Sequence, residues 1–181
     1  MLTLKPSIIK LNSLKMICAG IALSTAMSVA ASAQTFNVLA SFDGTDGYQT
    51  YVGLVQGSNG SFYGTSLFGG SDSTCGFGCG TVFQITSAGN LTMLYSFCAQ
   101  TGCTDGATPH AALALATDGS FYGTTTERGA SNNCNGGGCG TVFRITPSGQ
   151  VTTLYNFCLQ TGCPDGFFPT DKLVLGTDGN Y

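Results

Sequence analysis

Short runs of β-branched and aromatic residues, separated by turns containing Gly, recur along most of this chain. They predict strands rather than helices. Four strand-like segments follow one another: 51–57, 61–66, 81–86 and 91–97. A second set follows at 111–116, 120–125, 141–146 and 151–157, and a third begins at 172–176. The first and second strands of each set are joined through Ser58-Asn59-Gly60 or Thr117-Asp118-Gly119, the Asn-Gly and Asp-Gly type that supplies positive φ in tight hairpins. The third and fourth are joined through Ser87-Ala88-Gly89 or Pro147-Ser148-Gly149. In the fourth strand Leu91, Met93, Tyr95 and Phe97 are expected on one face and Leu94 on the other, so apolar bulk faces both ways. Such strands lie between two layers rather than on a solvated sheet.

The sets are copies of one another. Residues 80–97 return as 140–157 with eleven of eighteen positions identical. Residues 98–106 return as 158–166, and Asn59-Gly-Ser-Phe-Tyr-Gly-Thr65 returns as Asp118-Gly-Ser-Phe-Tyr-Gly-Thr124. A third copy begins at Asp178-Gly-Asn-Tyr181. The predicted fold class is all-β, with propeller-like four-stranded antiparallel repeats of about 60 residues; a stacked β-solenoid is the alternative. Residues 36–42 match the fourth strand, Leu39 and Phe42 falling on Leu94 and Phe97. With one leading strand, two full repeats and half of a third, the expectation is an incomplete propeller of about 2.5 blades. It is either a piece truncated at its C-terminus or a unit that closes by oligomerising.

The motifs Phe-Tyr-Gly-Thr (62–65, 121–124), Gly-Thr-Val-Phe (80–83, 140–143), Leu-Tyr-x-Phe (94–97, 154–157) and Asp-Gly with a downstream Pro (Asp105 to Pro109, Asp165 to Pro169) carry a resemblance. The chain resembles the Gloeo/Verruco (GloVer) tandem repeat of secreted bacterial proteins with variable anchors, over essentially all of 36–181. The resemblance implies an exported, often surface-attached protein, with any anchor in a missing C-terminal part. It carries no established activity, so no catalytic residue transfers.

Charge sharpens this picture. Charged residues make up 8% of the 181, and three of the six cations are Lys5, Lys10 and Lys15. These precede an apolar stretch from Met16 to Val29 and Ala31-Ser32-Ala33, the three-part pattern of a secretory signal peptide cut after Ala33. The division is therefore 1–33 as leader and 34–181 as repeat region, secreted or displayed on the cell surface, with no membrane insertion after cleavage. Beyond the leader, 9 anions face 3 cations, which excludes nucleic acid as a partner through counterion release.

Eight cysteines follow the leader, an even number in an exported chain, and predict disulfides. The segment after Phe97 is four residues longer than that after Phe42, and both of its cysteines are absent from the short copy. Cysteines that arrive with an insertion bridge across it: Cys98 to Cys103 and Cys158 to Cys163. Cys75 with Cys79 and Cys134 with Cys139 then pair locally. Zinc is set aside, because no His lies nearby and the expected location is oxidising. In a meander all eight cysteines fall at one end, together with Asp72, His110, Glu127 and Arg128, so that loop-bearing face is the predicted binding face. His110 has Thr170 as its counterpart and is expected to be a surface side chain. Glu127 and Arg128 are expected to form a solvated pair, and Asp105, Asp118, Asp165 and Asp178 to bond their own turns. No catalytic, cofactor or metal residue is expected. The predicted function is a non-catalytic extracellular scaffold, adhesion or binding module for a glycan or protein. The alternative is a fragment of an extracellular polysaccharide-acting propeller enzyme.

Overall fold

The computed structural model describes residues 36–181, and across them the fold is built from two four-stranded antiparallel sheets. The expected leader over 1–33 lies outside the described residues. The first sheet contains β1 (Val55–Gln56), β2 (Phe62–Ser66), β3 (Thr81–Ile85) and β4 (Leu91–Ser96), adjacent in chain order. The second contains β5 (Ala114–Leu115), β6 (Phe121–Thr125), β7 (Thr141–Ile145) and β8 (Val151–Asn156), in the same meander. One turn of 3-10 helix, Thr101–Cys103, interrupts the connection between them.

The hairpin turns follow from their residues. Gly60, Gly119 and Gly179 adopt φ of 78°, 80° and 84°, which a side chain would strain. The residue before each glycine accepts a backbone N–H two positions on: Ser61 to Asn59 at 3.1 Å, Ser120 to Asp118 at 3.0 Å, and Asn180 to Asp178 at 3.1 Å. The third turn closes although 172–176 form no strand. Gly176 donates to the Asn180 carbonyl at 2.6 Å, as Gly57 donates to Ser61 at 2.9 Å.

Two expectations on strands are corrected. Residues 36–42 are not a strand: β4 and β8 owe their ladders to β3 and β7, and the leading segment has no such neighbour among the described residues. It nevertheless occupies the place of a fourth strand. Phe42 meets Phe83 edge-on at 4.8 Å, as Phe97 meets Phe143 at 5.1 Å. The Leu39 carbonyl presses on Gly89 as the Leu94 carbonyl presses on Gly149. The first strands are also shorter than predicted, pairing over two residues each, because 51–54 and 111–113 leave the ladder.

The alternation expected in the fourth strand is broken by a bulge. Met93 pairs with Phe83 and Tyr95 with Val82, consecutive residues of β3 that point to opposite faces. Met93 and Tyr95 therefore do not share a face, and Leu94 is the unpaired extra residue. The bulge recurs in β8, where Thr153 pairs with Phe143 and Tyr155 with Val142.

The core lies between the sheets. Tyr63, Val82 and Phe97 of the first pack with Leu113, Phe121, Phe143 and Ile145 of the second in one buried cluster. Tyr63 and Phe121 rings stand 4.2 Å apart, and β1 lies against β5. Burying each such ring is worth about 1.5–3 kcal/mol. The third copy begins the same interface again, Tyr181 stacking on Tyr122 at 4.4 Å.

Candidate functional site

Three equivalent backbone segments converge. Residues 51–53, 110–112 and 170–172, each at the start of a first-strand segment, line an open cavity of 400 Å³. The segments are aimed by a frame that repeats. Before each of them stands a non-glycine residue at positive φ: Gln49 at 58°, Thr108 at 53° and Phe168 at 55°. Thr108 donates its backbone N–H to the Cys79 carbonyl at 2.8 Å, and Phe168 donates to Cys139 at 2.9 Å. Pro109 and Pro169 fill the space that side chains at Gly80 and Gly140 would take. The Thr65 hydroxyl donates to the Ala111 carbonyl at 3.0 Å, and the Thr124 hydroxyl to that of Asp171 at 3.4 Å.

The side chains delivered by this frame differ. Tyr51, His110 and Thr170 occupy one position, Val52, Ala111 and Asp171 the next, and Gly53, Ala112 and Lys172 the third. Tyr51 and His110 present their rings 6.2 Å apart, and Tyr51 is 66% exposed. The residues that line the cavity thus include an aromatic ring, an imidazole, a hydroxyl, a carboxylate and an ammonium group, at Tyr51, His110, Thr170, Asp171 and Lys172. Such a set can hold a polar ligand by stacking and hydrogen bonds. His110 was singled out in the sequence by its solitude, but its partnership with Tyr51 was not legible, because the two belong to different repeats.

Of the loop residues singled out by the sequence, His110 lines this cavity, whereas the cysteines, Asp72, Glu127 and Arg128 are not among its lining. Disulfides join Cys75 to Cys79, Cys98 to Cys103, Cys134 to Cys139 and Cys158 to Cys163. The backbone of Glu127 bridges that of Ala107, while Arg128 lies near enough to Asp72 for its charge to be felt there. The Asp72 carboxyl is held below its usual range chiefly by hydrogen bonds from Thr74, with the Arg128 charge a smaller cause.

Asp105 and Asp165 correct the expectation that they bond their own Asp-Gly turns, because their carboxylates reach back along the chain instead. The fully buried Asp105 accepts from the Tyr95 hydroxyl at 2.8 Å and from the Ala99 and Gln100 amides at 3.0 and 3.3 Å. Asp165 accepts from Tyr155 at 2.6 Å and from the Cys158 amide at 3.0 Å. Each carboxylate ties the long connection to the fourth strand before it.

An ion pair joins Arg144 to Asp118 at 2.8 Å, with Arg144 also donating to Ser120 at 3.0 Å. Hydrogen bonds from Ser120, and then from Arg144, push the Asp118 carboxyl down to about 2. A signal for this pair exists in the repeat itself. The first copy has Asn59 and Gln84 at these positions, so both charges appear together in the second.

The molecule so defined is an all-β tandem-repeat protein with disulfide-bonded loops. A family model described as the Gloeobacter/Verrucomicrobia repeat matches residues 22–181, and the chain belongs to that family. No curated protein matches it.

Proposed function

We propose that this chain is a non-catalytic extracellular binding module, built on propeller-like blades, whose cavity at 51–53, 110–112 and 170–172 holds a glycan. The observation that carries the proposal is the contrast between frame and lining. The backbone conformation that aims the segments repeats in all three copies, and the Pro109–Gly80 contact repeats as Pro169–Gly140, whereas the residues presented to the cavity diverge. Structure alone asks for repetition, and a ligand asks for difference. Tyr51 and His110 supply the faces against which a sugar ring stacks, while Thr170, Asp171 and Lys172 supply hydrogen-bonding groups.

Propeller geometry is supported by the regular docking of copies: β1 lies against β5, and Tyr122–Tyr181 repeats Tyr63–Phe121. The basic start and Ala31-Ser-Ala33 support export, and a mature N-terminus at Gln34 by sequencing of the exported protein checks it. For the binding site, the full chain is screened on a glycan array and the strongest ligand is titrated into wild type and Tyr51→Ala. A loss of about tenfold or more is expected, since an exposed aromatic in a concave site is the usual anchor. A blank array, turnover of the bound glycan, or unchanged affinity in Tyr51→Ala overturns it.

A further inference from the structure

The eight disulfide-bonded cysteines do not stand as four separate pairs. The Sγ atoms of Cys134, Cys139, Cys158 and Cys163 all lie within 4.8 Å of one another, although they come from two different loops. Cys139 and Cys158 are fully buried. The two loops are held together independently of their sulfurs. The Asn133 side chain donates to the Cys158 carbonyl at 2.8 Å, and the Ser131 hydroxyl donates to that same carbonyl. Asn133 also donates its backbone N–H to Ser131 Oγ at 3.2 Å. This frame converges four sulfurs whether or not they are joined to one another.

We propose that the Cys134, Cys139, Cys158 and Cys163 cluster, when its two disulfides are reduced, is a tetrathiolate site for one Zn²⁺. A tetrahedral ion with Zn–S bonds of about 2.3 Å has sulfur–sulfur edges of about 3.8 Å. The four sulfurs already occupy a volume of that size; each bonded pair opens, and the separation between pairs closes by about 1 Å at most. The spacing within each pair says little alone, since a local Cys pair offers only two ligands. What points to a metal is the meeting of two pairs.

The chemistry balances with an external dithiol as reductant. Two dithiols give four electrons and four protons, both S–S bonds break, and each dithiol becomes a cyclic disulfide. Zn²⁺ then replaces the protons of the four thiols as four Zn–S bonds form. Metal and disulfides use the same atoms, so the oxidised and metal-bound states exclude one another. The first cluster is the internal comparison. There Cys75, Cys79 and Cys98 converge within 4.8 Å, and Asp72, which replaces Ser131, lies 3.9 Å from the Cys79 sulfur.

The test uses the full chain reduced anaerobically with dithiothreitol, exchanged into metal-free buffer, and titrated with Co²⁺ and then Zn²⁺. The expected result is the intense visible spectrum of tetrahedral cobalt with sulfur-to-metal charge transfer, bleached by Zn²⁺. Cys75→Ser/Cys98→Ser retains a high-affinity tetrahedral site. Cys134→Ser/Cys158→Ser loses zinc affinity by more than about 100-fold, beyond the usual effect of outer-shell changes. Far-UV circular dichroism follows the fold throughout: if reduction melts the sheets, Zn²⁺ restores them in the wild type, because site formation and folding are coupled. Weak octahedral cobalt spectra, equal losses in both double variants, or a melted chain that zinc does not rescue each overturn the proposal.

Discussion

The two sheets share their sequence pattern, topology and bulge, yet their outer strands meet different surroundings. In the first sheet Phe97 is fully buried, with Phe143 of the next sheet 5.1 Å away. In the second, Phe157 makes the same 80° contact with its own Tyr155 that Phe97 makes with Tyr95, but it is only half-buried and Tyr155 is 46% exposed. Identical local chemistry therefore produces a core in one copy and a surface in the other. Burial belongs to the stacking of copies, not to the copy itself.

The largest expected effect comes from Phe97→Ala. Removing a fully buried ring costs about 3–5 kcal/mol, while Phe157→Ala at its half-buried position costs less than about half of that. Urea denaturation of both variants checks the difference. Equal costs would show that a surface in solution covers the second sheet.

A smaller contrast concerns the turns beneath the fourth strands. Gly89 and Gly149 share φ of 87°, and a side chain at either would meet a carbonyl, that of Leu39 or of Leu94. A non-glycine residue there costs about 1–2 kcal/mol from backbone conformation alone. Gly149→Ala is expected to cost more than Gly89→Ala, because Leu94 is held between the paired residues Met93 and Tyr95 of β4, whereas Leu39 lies outside any strand. Equal losses of thermal stability would mean that the leading segment is seated as firmly as a strand.

The repeat pattern made the strands, hairpins and turns legible, because each is a local matter of residue type and period. The bulge was not. Leu94 and Leu154 read as ordinary alternation, and only their pairing with the third strand shows that one residue is extra. The cavity was equally hidden, since Tyr51, His110 and Thr170 come from three copies and meet only when the copies are docked. The reach of Asp105 to Tyr95 was concealed by its Asp-Gly context, which also describes the turns at Asp118 and Asp178, where the carboxylate does accept the amide two residues on.

The two Tyr–Asp pairs offer a finer discrimination. The Tyr95 phenol is pushed far above its ordinary 10, first by burial and then by the hydrogen bond and charge of Asp105. Tyr155 is raised chiefly by its hydrogen bond to Asp165, with burial second. A raised folded value leaves the stabilisation complete below pH 10 and withdraws it as pH climbs from there toward the folded value. Ultraviolet titration with Tyr95→Phe and Tyr155→Phe difference spectra is expected to show Tyr155 ionising before Tyr95. The reverse order would mean that burial does not separate the two copies.

The smallest expected effect lies at the hairpin end. Asp118, lowered to about 2, contributes stability above its ordinary 3.8, and this is lost as pH falls from 3.8 through about 2. Carboxyl NMR is expected to show Asp118 titrating closer to 3.8 in Arg144→Gln. Part of the depression should remain, because Ser120 still donates to the carboxylate. An unchanged value would assign the whole effect to Ser120.

The notch at Gly80 and the proline that fills it have a consequence for how such a chain can change over generations. Pro109 seats at Gly80, and Pro169 seats at Gly140, so the second copy carries both the plug for its predecessor and the socket for its successor. A duplication or deletion of one whole period in the gene preserves every plug beside a socket, wherever in the period the break falls. Copy number can therefore drift without new complementary surfaces having to arise.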